Sequence, residues 1–484
     1  MNTNPTLWST HELRFHADDS TLANPFAEVQ LSLRLTHAER VYELAAFYDG
    51  EGTWKARIMP DALGEWEWLT TSNLPSLHGM SGRFLCEPTL PDTHGPVRVE
   101  QGAHFRHVDG TRHLSFGTTC YAWLHQPEYR QEQTLQTLRT SPFNKLRFCI
   151  FPKWYDYNRG EPDPHVFEQS KDGSLDFMRP NLSFFRLLDK RLGELASLGI
   201  MADIILFHPY DNWNYSKMGQ AADDAYLRYV IARYAAHPHI WWSLANEWDV
   251  IGSKQLSDWE RYREIIMEAD PYQHLCSIHN CMRNYDHSKP GLTHVSAQRI
   301  DTCRTTEDTG HYLKTYHKPV VWDEVGYEGN IQHGWGNLPA TELVRRYWEG
   351  MVRGGYVGHG ETYAHPDDIL WWSHGGILHG TSAPRIAFLR KIAASCPSHG
   401  IDPLESDWDV PIGGQRDTWI LRYLGVNQPS WRSIRLPEGG IFEIDVIDTW
   451  EMTVTRLPGT YSGEVRVPLP GKSYMAVLAR RCLT

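Results

Sequence analysis

Between residues 97 and 398 the chain alternates short apolar runs with segments of helical period, and few folds accept that pattern. Eight such runs cover 113–123, 145–154, 199–208, 240–248, 275–279, 295–300, 319–325 and 355–362. Helical spacing fills 184–198, 221–234 and 259–269, ahead of the third, fourth and fifth of them. Strands buried on both faces read as continuous apolar stretches, and a parallel pair needs a long crossover between its members. Eight strands in roughly 300 residues is the count and size of a (β/α)₈ TIM barrel. The expected fold class is therefore α/β, with the barrel at 96–398.

The flanks are of another kind. Val29, Leu31, Leu33 and Leu35 alternate with polar residues, and Trp66 and Trp68 alternate with glutamates. Period two with close Gly and Pro punctuation predicts a β-sandwich over 1–95, ending at the Pro91–Pro96 stretch (91–96). Trp54, Trp66 and Trp68 are available there to brace the barrel. Residues 399–484 return to short strands separated by Pro458-Gly459 and Pro470-Gly471, enough for a second, small sandwich.

Composition removes several functions. A net charge of −12, from 47 basic and 59 acidic residues, lacks the basic stripe of a nucleic-acid binder. There is no run of 18 apolar residues to span a membrane. The first residues carry neither a basic nor an apolar leader region, so a cytoplasmic location is expected. The eight cysteines, at 86, 120, 149, 276, 281, 303, 396 and 482, form no Cys-x-x-Cys, and reduced thiols fit that location. The 25 histidines contain no His-Glu-x-x-His, so neither a metal nor another cofactor is expected. Homo-oligomerisation is left open.

Two glutamates stand out. Glu247 follows Asn246 at the end of the fourth run, and Glu324 ends the seventh. A carboxylate at the end of a buried strand is costly unless it is paired or used. Strand-end glutamates do form structural ion pairs. Two of them among many aromatic residues also make the minimum apparatus for breaking a glycosidic bond with retention. The 20 tryptophans exceed what packing alone needs, and flat apolar faces suit sugar C–H surfaces. Other strand ends supply candidate sugar ligands: Trp123, Lys153, Trp154, His208, Asn246, His279, Asn280 and Glu361, with Trp371 and Trp372 in the following loop. Each has a plain structural alternative. The Trp residues and Lys153 can pack the barrel rim, His208 can cap a loop, and Glu361 can pair with an arginine such as Arg147. Asp249 and Asp323, next to the pair, are expected to support it from behind, because adjacent strand residues point to opposite faces.

On Asn246-Glu247 and Glu324 the sequence resembles the large clan of retaining glycoside hydrolases built on (β/α)₈ barrels. The segments 360–363 (Gly-Glu-Thr-Tyr) and 371–380 further resemble a bacterial group related to apiosidase-like enzymes, with β-domains on both sides of the barrel. The resemblance implies Glu324 as nucleophile and Glu247 as acid/base. It implies an oligosaccharide or glycoside substrate of plant or microbial origin. Long loops after the second and third runs, 155–180 and 209–220, favour exo action by closing a pocket around one terminal sugar. Transglycosylation on the same scaffold, and a non-catalytic carbohydrate-binding barrel, are the alternatives.

Overall fold

The computed structural model describes residues 4–299, 301, 304–366, 370–405 and 407–482. Ile300, the last residue of the sixth run, and Cys303 lie outside them. Eight parallel strands form one sheet: β1 (Gly117–Thr119), β2 (Lys145–Cys149), β3 (Met201–Phe207), β4 (Ile240–Ala245), β5 (Cys276–Ser277), β6 (Val295–Gln298), β7 (Val320–Glu324) and β8 (Tyr356–His359). Their spatial order is β5-β4-β3-β2-β1-β8-β7-β6. A parallel bridge between His279 and Ser296 joins the two edges and brings the sheet close to a full barrel.

Helices cross between most strands. α1 (Glu128–Thr140) follows β1, α2 (Leu182–Ser197) follows β2, and α3 (Gln220–Tyr234) follows β3. α4 (Leu256–Ala269), α5 (Thr309–Tyr316), α6 (Ala340–Val352) and α7 (Ser382–Ala394) follow β4, β6, β7 and β8. α2 starts where the Asn181 side chain accepts from the Ser183 N–H, satisfying an orphan donor of the first turn. It buries Phe184, Phe185, Leu188, Leu192 and Leu195 on one face, the three- and four-residue spacing of a helix packed on a sheet.

All eight strands are shorter than their apolar runs, and at two of them the remainder pairs elsewhere. Of 113–123, only Gly117–Thr119 joins the barrel. Arg112–His113 pairs instead with His104–His107 in an antiparallel plug under the barrel. Phe105 of that plug stacks near Trp241 and Tyr356, at 5.0 and 5.1 Å between ring centroids. Glu361–Thr362, past β8, pairs with Glu328–Gly329 outside the main sheet.

The barrel axis is charged rather than aliphatic. Lys145 Nζ lies 2.7 Å from Asp203 and 2.8 Å from Asp323, all three side chains at most 2% exposed. A buried cation between two carboxylates is tolerable because each of its bonds is charge-assisted.

Residues 11–86 make a three-stranded and a four-stranded antiparallel sheet facing each other over Phe15, Leu33, Leu35, Trp54 and Trp66. Residues 402–481 make a six-stranded sheet and a two-stranded ribbon over Ile420, Phe442, Ile444, Val467 and Val477. The contact of the first pair of sheets with the barrel differs from expectation. Trp66 stacks on His37 and Phe84, Trp54 packs on Tyr48, and Trp68 meets Phe15 edge-on, all within these sheets. Other rings and an ion network carry the junction: Tyr229 of α3 meets Phe26 and Phe47, and Tyr272 meets Tyr42. Asp189 of α2 accepts from Arg57 at 2.9 and 2.8 Å and from Arg233 of α3 at 3.1 and 2.6 Å, while Arg233 also donates to Asp49 at 2.8 Å.

Candidate active site

Glu247 is the first residue past Asn246 at the end of β4, and its backbone is left-handed at φ 53°. A side chain that is not glycine pays for that conformation, and such strain concentrates at sites that need a fixed geometry. Its carboxylate is 7% exposed as a residue, accepts from the Tyr210 hydroxyl, and accepts from Gln298 Nε2 at 3.2 Å. Tyr210 is itself held: its N–H donates to His208 Nδ1 at 3.2 Å, and His208 Nε2–H donates to the Phe151 carbonyl at 3.0 Å. Burial, with Lys153 nearby, pushes the His208 imidazole down to about 3, so it stays neutral in this relay.

Glu324 ends β7 beside a break in register. Ala297 pairs with Trp322 and Gln298 with Glu324, which leaves Asp323 as the extra residue. A bulge of this kind re-aims side chains. Asp323 points down the axis to Lys145 and accepts from Ser296 Oγ at 2.6 Å, while Glu324 reaches the mouth. Glu324 accepts from the Tyr121 hydroxyl; His279 Nε2 lies 3.4 Å and Arg147 Nη1 3.7 Å from its Oε1. Burial alone would raise this carboxyl, but His279, Arg147 and Tyr121 outweigh it and hold it at about 2. Arg147 in turn donates to Tyr121 Oη and to Asn246 Oδ1, both at 2.8 Å, and so ties the two strand ends together.

Both glutamates face one cavity of 290 Å³. Lys153, Asn246 and Trp372, expected as ligands, line it; so do Tyr121, Tyr155, Tyr210, Cys281, Gln298, Arg299, Tyr327 and Trp335, which were not. The seven remaining candidates stand elsewhere. Trp123 is fully buried and donates to the Gln131 carbonyl at 3.1 Å. Trp154 packs on Trp213. Trp371 donates to Thr118 Oγ1 at 2.8 Å behind the wall, because a π-helical turn at Leu370–His374 sends it and Trp372 different ways. His208 and His279 position Tyr210 and Glu324 as above. Asn280 is buried, its carbonyl accepting from Gln298 at 2.9 Å. Glu361 bonds neither to Arg147 nor into the cavity; it accepts the His379 and Gly380 N–H groups at 2.8 and 3.0 Å.

Asp249 also works from behind. It accepts the N–H groups of Cys281, Met282 and Arg283 at 2.6, 2.8 and 2.7 Å and so seats the loop that carries Cys281 beside Glu247. Burial and then Glu247 push the Cys281 thiol up to about 12, which keeps it protonated. A larger hollow of 600 Å³ opens at the other end of the barrel, lined by His94, His107, His113, His237 and His239. Asp92 is the one carboxylate on its wall among the described residues, so it cannot supply an acid pair.

Among the described residues no group of three or more His, Cys, Asp or Glu is placed to hold a metal ion. Seven cysteines, Cys86, Cys120, Cys149, Cys276, Cys281, Cys396 and Cys482, are unbridged. No described helix is long and apolar enough to cross a membrane.

Comparison with known families gives one match over most of the barrel: residues 99–395 fit the family described as "Apiosidase-like, catalytic domain". The chain belongs to this family. The apiosidase-like region is flanked by matches to two domains of unknown function, DUF5060 at 4–73 and DUF5605 at 408–480. A crystal structure from Bacteroides vulgatus ATCC 8482, described as "a putative glycoside hydrolase", is 34% identical, covers 99% of each chain and superposes with a TM-score of 0.93. A glycoside hydrolase family 5 protein from the same organism, at 15% identity and TM-score 0.61 over 81% of this chain and 95% of its own, shares the fold. A comparison with curated proteins finds no match. The chain is thus a glycoside-hydrolase-like, apiosidase-like protein on a TIM-type barrel.

Proposed function

We propose that this apiosidase-like protein is a retaining glycoside hydrolase, with Glu324 as nucleophile and Glu247 as acid/base. The observation that carries the reading is the difference in the hydrogen bonding of two carboxylates on one cavity wall. Glu324 is surrounded by Tyr121, Arg147 and His279, which favour its ionised form. Glu247 has no cation within 4.0 Å among the described residues; its partners are a phenol, an amide and the Cys281 thiol. An ionised carboxylate suits attack, and one without a cation suits carrying a proton.

In the first step a Glu324 oxygen bonds to the anomeric carbon, the bond to the leaving oxygen breaks, and Glu247 gives that oxygen its proton. In the second, water attacks the anomeric carbon, Glu247 takes the water's proton, and the ester to Glu324 breaks. Asn246 and Trp372 are the sugar ligands of this reading, Asn246 toward a ring hydroxyl and Trp372 as the stacking floor. A cavity at the small end of the range for ligand sites favours one terminal sugar of a plant- or microbe-derived oligosaccharide, and hence exo action. Residues 96–398 form the catalytic unit, with 1–95 and 399–484 bracing it.

Glu324→Ala tests the assignment. Turnover of an aryl glycoside should fall by at least about 10⁴-fold, and azide or formate should restore part of it with an inverted product, since a small anion fills the vacated volume. Activity near wild type in Glu324→Ala would refute the nucleophile assignment.

A further inference from the structure

Lys153 and Arg299 are the charged groups on the cavity wall that the double displacement does not use. Lys153 is 1% exposed, and its ammonium lies over the rings of Tyr121, Tyr210, Tyr155 and Trp372, at 3.9, 4.3, 4.9 and 5.6 Å from their centroids. The two other lysines with side chains less than 5% exposed are paired with carboxylates: Lys145 with Asp203 and Asp323, Lys254 with Asp223. Arg299, also on the wall, is paired with Asp308. Among the described residues Lys153 has no carboxylate within 4.0 Å of Nζ and no hydrogen bond from it. Ring faces attract a cation but do not neutralise it. A buried charge without a counter-ion is costly, and it persists where something else supplies the partner.

The position of the ammonium says what that partner is. Lys153 touches the two tyrosines whose hydroxyls bond the two glutamates, Tyr121 to Glu324 and Tyr210 to Glu247. It therefore lies beside the sugar whose bond is cut, rather than out on the rim. Count the charges at the start of turnover. In the proposed first step Glu247 acts as the acid, and Arg147 lies 3.7 Å from Glu324. Lys153 remains without a carboxylate within 4.0 Å among the described residues, and burial pushes its ammonium down.

We infer that the sugar bound at this position is acidic, a hexuronic acid residue at the end of its chain, and that its carboxylate pairs with Lys153. The inference rests on the reading of Glu247 and Glu324 as a glycosidase pair, and it adds the substrate class. A neutral hexose offers Lys153 hydroxyl acceptors alone and leaves its charge standing.

The experiment uses aryl glycosides in matched pairs that differ only at carbon six: p-nitrophenyl glucuronide against glucoside and galacturonide against galactoside, in both anomers. The methyl ester of each uronide is included. For the configuration cleaved, the acid should exceed its neutral partner in kcat/KM by about 150- to 4,000-fold, the range expected for removing one member of a buried ion pair. The methyl ester, tested on the unmodified enzyme, should fall with the neutral sugar. In Lys153→Met the acid-to-neutral ratio should collapse toward one. Cleavage of neutral sugars or esters as fast as acids, or a ratio unmoved in Lys153→Met, overturns the inference and leaves the glycosidase reading standing. If no pair is cleaved, tryptophan fluorescence of the unmodified enzyme is titrated with free glucuronate, galacturonate, glucose and galactose. Quenching by a uronate and not by its neutral partner supports the inference. Absence of that preference overturns it, and the glycosidase reading is then decided separately by Glu324→Ala.

Discussion

The hydroxyl of Tyr121 offers a way to move one ionisation without disturbing the cavity. Tyr121→Phe keeps the ring that lies 3.9 Å from the Lys153 ammonium and removes the hydroxyl that donates to Glu324 and accepts from Arg147. Arg147 keeps its bond to Asn246 at 2.8 Å, so its position is preserved. A hydrogen bond to a buried carboxylate contributes about 1.5–3 kcal/mol. At about 1.4 kcal/mol per pH unit, its loss raises the Glu324 carboxyl by roughly 1–2 units. From about 2 it should reach roughly 3–4. The ionised form is the nucleophile, so activity is full above this value and lost as pH falls through it. The wild-type kcat/KM should therefore show no loss attributable to Glu324 down to about pH 3. The variant should lose half its plateau value between about pH 3 and 4. Initial rates on an aryl glycoside from pH 3 to 7, with circular dichroism confirming the fold at each pH, make the measurement. An acid limb that stays where it was, with a loss equal at every pH, would refute the claim that Tyr121 acts by stabilising ionised Glu324.

Two further outcomes follow from the geometry. Glu247→Ala should slow substrates with poor leaving groups by about 10²–10⁴-fold and activated aryl substrates far less in the first step, with a glycosyl-enzyme accumulating and visible by intact-mass spectrometry; equal losses for good and poor leaving groups exclude the acid/base role. Asp189→Ala leaves Arg57 and Arg233, 7% and 0% exposed, with fewer partners at the junction of the N-terminal sheets and the barrel, and should cost about 3 kcal/mol in denaturant unfolding while kcat stays within a few-fold; unchanged stability would show that the ion network is replaceable.

Glu247 and Glu324 were readable because a carboxylate at the end of an apolar run is an anomaly that one-dimensional pattern exposes. Lys153, Asn246 and Trp372 were readable for the same reason, as polar or aromatic residues at strand ends and in the next loop. Tyr121 and Tyr210 were not. Tyr121 sits where the first run seemed to continue as strand, and Tyr210 lies two residues beyond a histidine that looked the better ligand. Their directions are fixed by contacts distant in sequence, Tyr121 with Arg147 of the neighbouring strand and Tyr210 with Glu247, which no local pattern encodes. Trp371 and Trp372 show the limit most clearly: chemically identical neighbours in one π-helical turn, one behind the wall and one on the cavity. Glu361 looked like a second rim acid, yet two backbone N–H groups brought from the far side of a loop take up its charge.

The sequence by itself determined the α/β alternation, the β-rich flanks and the strand-end acids, because periodicity and the cost of burying charge act along the chain. Only the tertiary structure decided which side chains meet. The extra residue in β7 turns both Asp323 and Glu324 inward, against the alternation a regular strand would impose. Three groups from three different strands or loops then hold Glu324 ionised, and four rings from four different connections enclose Lys153. Charges interact through space over a few ångströms, so their balance is set where the chain brings them together and not by their order along it.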